Sequence, residues 1–227
     1  MTERGSGDPE NVTEEVEKIA RAELLGRYEQ RRLLIRVPDR TLIDNLQFTG
    51  HPYGDRMMHE VIARVCGEKH RAFFREKLAG KPLFNIGAGI GGVGDALRFL
   101  KDMNVGRVTL VDPYYGERAM DREEKEQLTQ EGLQGRVDFS KTDGLSFLIA
   151  QRPDSGNVVA SAINVTLIND REYLKRMAQE IFRVVPRDGI FITFTSNHIE
   201  DEANELFPYK KLFSGMSVFA KEHSPAE

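Results

Sequence analysis

The amino-acid sequence predicts an α/β fold, a largely parallel sheet covered by helices on both faces. Three observations carry that expectation. Short apolar strand patterns alternate with amphipathic helix patterns from Leu83 to Thr195, the rhythm of successive β-α-β units. A glycine-rich turn, Gly87-Ala88-Gly89-Ile90-Gly91-Gly92, joins the first strand to the helix after it. The chain then closes on two strand patterns separated by Ser214-Gly215, a hairpin and therefore an antiparallel pair.

Composition narrows the field. At 227 residues the chain is long enough for one sizeable core plus an appended arm. Its formal net charge of −4 gives no general attraction to nucleic acid or to an anionic membrane. The single cysteine, Cys66, excludes an intrachain disulfide and any multi-cysteine zinc site. No run approaches the roughly 18 apolar residues that span a bilayer, and residues 1–11 lack the apolar core of a signal peptide. A cytoplasmic protein is the expectation.

The expected organisation has three parts: a disordered tail over 1–10, a helical N-terminal arm over 11–80, and an α/β domain over 81–221. Asn11 with Glu14 forms a capping-box pattern at the start of the arm. Residues 21–40 hold six arginines against three acids, better read as a solvated helix side than as an anion-binding face. A second helix starts at Asp55, with Met58, Val61, Ile62 and Val65 as its stripe, and stops at Gly67. A third runs to about Ala79.

Within the α/β domain, the first strand spans Leu83 to Ile86. After the glycine turn, Val93, Ala96, Leu97 and Leu100 mark a helix. Arg107 to Val111 is the second strand, ending in Asp112-Pro113. Asp121 with Glu124 opens another helix, and Arg136 to Phe139 is the third strand. A short helix covers Leu145 to Ile149. Asn157 to Asn164 is the fourth strand. Asn169 with Glu172 starts a helix that carries Leu174, Met177, Ile181 and Val184 on one side. Arg187-Asp188-Gly189 turns the chain into the fifth strand, Ile190 to Thr195. The closing hairpin pairs Lys211–Phe213 with Met216–Lys221.

The glycine turn is the strongest chemical signal. Gly87, Gly89 and Gly91 remove Cβ atoms where a strand bends sharply into a helix, so main chain and helix-start amides can lie against a ligand. Gly87, Gly89 and Gly92 also satisfy the dinucleotide pattern G-x-G-x-x-G, so the turn alone does not select a cofactor. Asp112 ends the second strand, where a carboxylate can accept hydrogen bonds from both hydroxyls of a ribose. Capping or turn formation beside Pro113 is the plainer alternative. Asp143, in Lys141-Thr142-Asp143-Gly144, is placed to accept from an adenine amino group or to cap the helix that follows. Tyr114 is placed either to pack on an adenine face or to join ordinary packing.

Together these residues resemble a known family. Asn85-Ile86-Gly87-Ala88-Gly89-Ile90-Gly91 is similar to the first motif of class I S-adenosylmethionine-dependent methyltransferases. Val111-Asp112 resembles their ribose-binding acid and Asp143-Gly144 their adenine-binding acid. Residues 183–189 resemble the stretch before their fifth strand, and Ser217-Val218-Phe219-Ala220-Lys221 their closing hairpin. The resemblance covers roughly residues 81–221. It implies a Rossmann-like sheet of seven strands, mostly parallel with the last antiparallel, and an N-terminal arm that helps cover cofactor and substrate. It also implies S-adenosyl-L-methionine as cofactor, held by Asn85, Gly87, Ala88, Gly89, Gly91, Asp112, Tyr114, Asp143 and Gly144.

Two positions depart from the family pattern. Asn85 stands where the family usually has an acid; it can accept a hydrogen bond but carries no negative charge. The fourth strand ends Ala162-Ile163-Asn164-Val165, without the Asn/Asp-Pro-Pro-aromatic motif of enzymes that methylate exocyclic amines of nucleobases. That class of acceptor is disfavoured; a small molecule is the expectation, with protein and RNA left open.

Methyl transfer from a sulfonium is an in-line displacement, and its main demands are alignment and exclusion of water. A general base is needed only where the acceptor must lose a proton early. His51, Tyr53 and His198 are the candidates, none in a diagnostic constellation, and His59 reads better as a structural histidine. No pattern points to a metal. Three other readings stay open: a nicotinamide-dependent oxidoreductase, a non-catalytic protein of the same fold, and aminocarboxypropyl transfer from the same cofactor. Against the first, no Tyr-x-x-x-Lys occurs in the chain.

Overall fold

A computed structural model describes residues 68–88, 92–112, 120–160, 171–194, 198–213 and 216–222. The expected helices from Asn11 and Asp55 lie outside these residues, as do Asn169 and the Ser214-Gly215 turn. The described elements, in chain order, begin with α1 (Glu68–Leu78), β1 (Pro82–Ile86), α2 (Gly92–Asp102) and β2 (Arg107–Val111). Next come α3 (Met120–Gln130), a 3-10 turn (Gln134–Arg136), β3 (Val137–Ser140), α4 (Gly144–Ala150) and β4 (Asn157–Ala160). The last are α5 (Arg171–Val184), β5 (Ile190–Phe194), α6 (His198–Leu206), β6 (Tyr209–Phe213) and β7 (Met216–Ala220).

All seven strands join one sheet in the order β3-β2-β1-β4-β5-β7-β6. The pairs among β1 to β5 are parallel, and β7 runs antiparallel to both β5 and β6. Side chains alternate between the faces as the pleat requires. On one face Leu83, Val108, Leu110, Val159, Ile190, Ile192 and Val218 pack with residues of α1, α2 and α3. On the other, Phe84, Ile86, Val111, Val158, Phe191 and Phe219 pack with α4, α5 and α6. Helix α5 shows the logic: Leu174, Met177, Ala178, Ile181 and Val184 recur at helical spacing and all are buried. Each such large apolar side chain contributes about 1.5–3 kcal/mol when removed from water.

Helix α1, assigned to the arm by sequence, packs into the same core as the sheet. Phe74 and Leu78 are fully buried, and the Phe74 and Phe213 rings meet at 5.2 Å. At the N-terminal end of the parallel strands a buried amide locks three of them together. Asn157 Oδ1 accepts the Ile190 amide at 2.7 Å, while its Nδ2 donates to the Pro82 carbonyl at 3.4 Å.

The structure differs from the sequence expectation by a residue at several element ends, such as β7 closing at Ala220 and β3 at Ser140, and by more in three places. Arg136, expected to open the third strand, ends the 3-10 turn instead, because its guanidinium donates to the carbonyls of Val105 and Gly106. The sixth strand starts two residues earlier, at Tyr209, where pairing with Ala220 extends the hairpin. Helix α6 was not anticipated; Ile199, Ala203 and Phe207 are its buried stripe.

Candidate functional site

The candidate site lies where β1 and β2 end side by side. Ile86 pairs with Val111, so the residues that follow, Gly87 and Asp112, leave the sheet as neighbours. The Gly87 amide donates to the Val111 carbonyl at 2.9 Å, and the Ala88 amide to the same oxygen at 3.2 Å. Gly87 has φ of +67°, a left-handed conformation that costs an L side chain about 1–2 kcal/mol. The turn therefore requires glycine at this position. Beyond it α2 begins at Gly92, and a helix start is where main-chain amides without partners in their own helix can meet a ligand.

Asp112 is held from the other side. Its amide donates to the Ser140 carbonyl at 3.1 Å, extending the β2–β3 ladder by one bond. The residue is 5% exposed, an acid sunk between strand ends rather than displayed in a surface turn. Asn85 is fully buried. It lies two residues beyond Leu83, and therefore on the sheet face that α2 covers.

Asp143 and Gly144 sit at the next strand end, after β3. Asp143 is the N-cap of α4, its Oδ1 accepting the Ser146 amide at 3.0 Å. Its second oxygen, Oδ2, is buried. A Cβ at Gly144 would lie 2.3 Å from Ile86 Cγ2 and 2.7 Å from Met177 Cε. The missing side chain there lets α4 close onto β1 and α5, a packing requirement independent of any ligand.

His198 opens α6, the element that follows β5, beyond the C-terminal end of the parallel strands, the end at which the glycine turn also lies. Gly89, Gly91, Tyr114, His51, Tyr53 and His59 lie outside the described residues. Sequence reasoning passed over Asp95, an acid in the first turn of α2 that is 1% exposed. The available signal was a charged residue flanking the stripe of Val93, Ala96 and Leu97. It also passed over Glu200 on α6, which accepts from Ser217 on β7 and pairs with Lys210 Nζ at 2.7 Å.

The displaced titrations lie at the other end of the sheet. The hydrogen bond from Lys81 holds the Asp188 carboxyl below the usual carboxylate range, against the opposing effect of partial burial. Arg107 is pushed up by its hydrogen bonds to Asp138. Among the described residues, no group of three or more His, Cys, Asp or Glu side chains is placed to hold a metal. No described helix is long and apolar enough to cross a membrane.

The strand order with its antiparallel β7 is the fold of class I S-adenosylmethionine-dependent methyltransferases. No family model and no curated protein sequence matches the chain. Among solved structures it is similar to spermidine synthase from Thermotoga maritima, with a TM-score of 0.52, 15% identity and 69% of this chain covered. It is likewise similar to a spermidine synthase in complex with the transition-state analogue AdoDATO, with a TM-score of 0.54, 16% identity and the same 69% coverage. The match spans 58% and 60% of those two synthases. A precorrin-6y C5,15-methyltransferase from Geobacter metallireducens matches at a TM-score of 0.46 and 11% identity, over 67% of this chain and 87% of that one. Identities of this order speak to the fold alone.

Proposed function

We propose that the protein is an S-adenosylmethionine-dependent methyltransferase acting on a small molecule. The observation that carries this reading is the adjacency of Gly87 and Asp112, a left-handed glycine turn beside a buried acid. The turn brings main chain close to a ligand, and the acid offers two oxygens to the hydroxyls of a ribose. Asp143, which caps α4 through Oδ1, is assigned to the adenine amino group by its place after β3. Asn85, Gly87 and Ala88 would line the methionine end, with Gly89, Gly91 and Tyr114 completing the assignment from sequence. The bound cofactor supplies an activated methyl group. The chain's own task is to orient it and to keep water out.

Calorimetric titration of the purified protein with S-adenosylmethionine, S-adenosylhomocysteine and NADH tests the reading. Binding of the first two and not the third is the expected result, and it justifies an acceptor screen. Binding of NADH alone supports an oxidoreductase instead. Binding of none favours a non-catalytic protein of this fold.

A further inference from the structure

Helix α4 carries Asp143 at its N-cap, and its opposite end is held by one side chain of α5. We propose that Arg183 is a positioning residue for adenine recognition: from α5 it fixes α4 along its axis and so sets where Asp143 stands. This inference rests on the assignment of Asp143 to the adenine amino group made above, and it adds a residue that acts through α4.

The guanidinium of Arg183 serves three acceptors in three directions. Its Nε donates to Glu180 Oε2 at 2.6 Å, Nη1 to the Gln151 carbonyl at 2.8 Å and Nη2 to the Leu148 carbonyl at 2.8 Å. Gln151 is the C-cap of α4, so the fork lands where a helix end leaves carbonyls short of donors. Positive charge also suits the field at that end. The Glu180 side chain is 8% exposed and its other oxygen pairs with Arg176 at 3.1 Å, which holds the guanidinium in turn. A lysine ammonium lacks the planar fork that this arrangement uses.

Helix α4 depends on contacts of this kind. It has 7 residues, and isolated helices below about 12–15 residues are marginal in water. Leu145, Phe147, Leu148 and Ile149 are buried and bring it onto the core, as does the close approach of Gly144 to Ile86 and Met177. Apolar packing is non-directional, whereas the bonds of Arg183 have preferred lengths and angles and so fix the position along the axis. Met177 and Arg183 lie about 9 Å apart along α5, close to the length of α4, so α5 grips it at both ends. Asp143 moves with the helix: its Oδ1 accepts the Ser146 amide at 3.0 Å and its carbonyl accepts the Phe147 amide at 3.0 Å.

The test is calorimetric titration with S-adenosylhomocysteine and its 6-deamino analogue, in which hydrogen replaces the adenine amino group. Wild type is expected to prefer the first by at least about tenfold, as a hydrogen bond to a charged acceptor implies. Asp143→Ser keeps a good N-cap, removes the carboxylate, and is expected to abolish that preference. Arg183→Met leaves Glu180 its Arg176 partner. It is expected to cut the preference to about threefold or less, by weakening S-adenosylhomocysteine and leaving the analogue unchanged. A merely structural Arg183 would lower the melting temperature and keep the preference. A preference that stays above about threefold, or equal weakening of both probes, therefore overturns the inference. Should Arg183→Met fail to fold, Arg183→Lys decides, with the same expected fall and the same overturning result. Wild type that binds both probes equally, or Asp143→Ser that keeps the preference, contradicts the Asp143 assignment, and the inference falls with it. Wild type that binds neither contradicts the cofactor reading itself, a result seen before any Arg183 variant is made.

Discussion

The Val111 carbonyl accepts the Gly87 amide at 2.9 Å, and this bond ties the glycine turn of β1 to the end of β2. Two chain reversals that the sequence separates by 24 residues thus become one surface, with the Asp112 carboxylate on its rim. The candidate ribose acid and the candidate main-chain cradle are built by the same strand pair.

Asp112→Ala is expected to weaken S-adenosylmethionine binding by roughly 10- to 100-fold, the value of hydrogen bonds to a charged group. Calorimetry measures the affinity, and a thermal melt within a few degrees of wild type shows that the loss is local. Unchanged affinity in a folded variant would remove the ribose assignment.

Two glycines respond oppositely to alanine. At Gly144 the new methyl meets Ile86 and Met177, and Gly144→Ala is expected to cost about 1–3 kcal/mol through overpacking. At Gly94, inside α2, nothing lies within 4 Å of the position a Cβ would take. Gly94→Ala is therefore expected to stabilise by up to about 1 kcal/mol, since alanine is the better helix former. Urea denaturation of both variants checks the contrast.

Asn157→Leu keeps the branching of the side chain but removes the acceptor for the Ile190 amide and the donor to Pro82. The buried amide left behind sets the cost at about 1–3 kcal/mol. A lower urea midpoint at unchanged slope is the expected signature.

The Lys81–Asp188 pair predicts a small acid-side effect. The folded-state pKa of Asp188 is depressed, so the pair stabilises at pH values above the unfolded carboxyl, near ~3.9. That contribution is lost as pH falls through the depressed folded value. Asp188→Asn is expected to be less stable than wild type at neutral pH, and the difference to vanish in acid. The Asp188 side chain is 68% exposed, which holds the effect below about 1 kcal/mol. Chemical denaturation at neutral pH and at pH 2 compares the two limits.

Much of this was legible in the sequence, and the misses have particular causes. The β2 strand runs over Arg107–Val111 as expected, because an apolar run ending in Asp-Pro marks both its type and its end. The order of the glycine turn and its acids, with the closing hairpin, was enough to anticipate the seven-stranded sheet. Arg136 was misplaced because long-range hydrogen bonds to Val105 and Gly106, invisible to local propensity, hold it in a turn. Helix α6 escaped because acidic residues break up its stripe of Ile199, Ala203 and Phe207. Asp143 was readable as ligand or as cap; the structure shows the cap through Oδ1, and capping through one oxygen does not decide the ligand reading. Asp95 was overlooked because an acid beside an apolar stripe normally faces water.

The most direct test of the central claim is a crystal structure of the protein grown with S-adenosylhomocysteine. The account predicts ligand density at the ends of β1 and β2, with the ribose hydroxyls within hydrogen-bond reach of Asp112. Density lodged elsewhere, or a ribose turned away from Asp112, would contradict it.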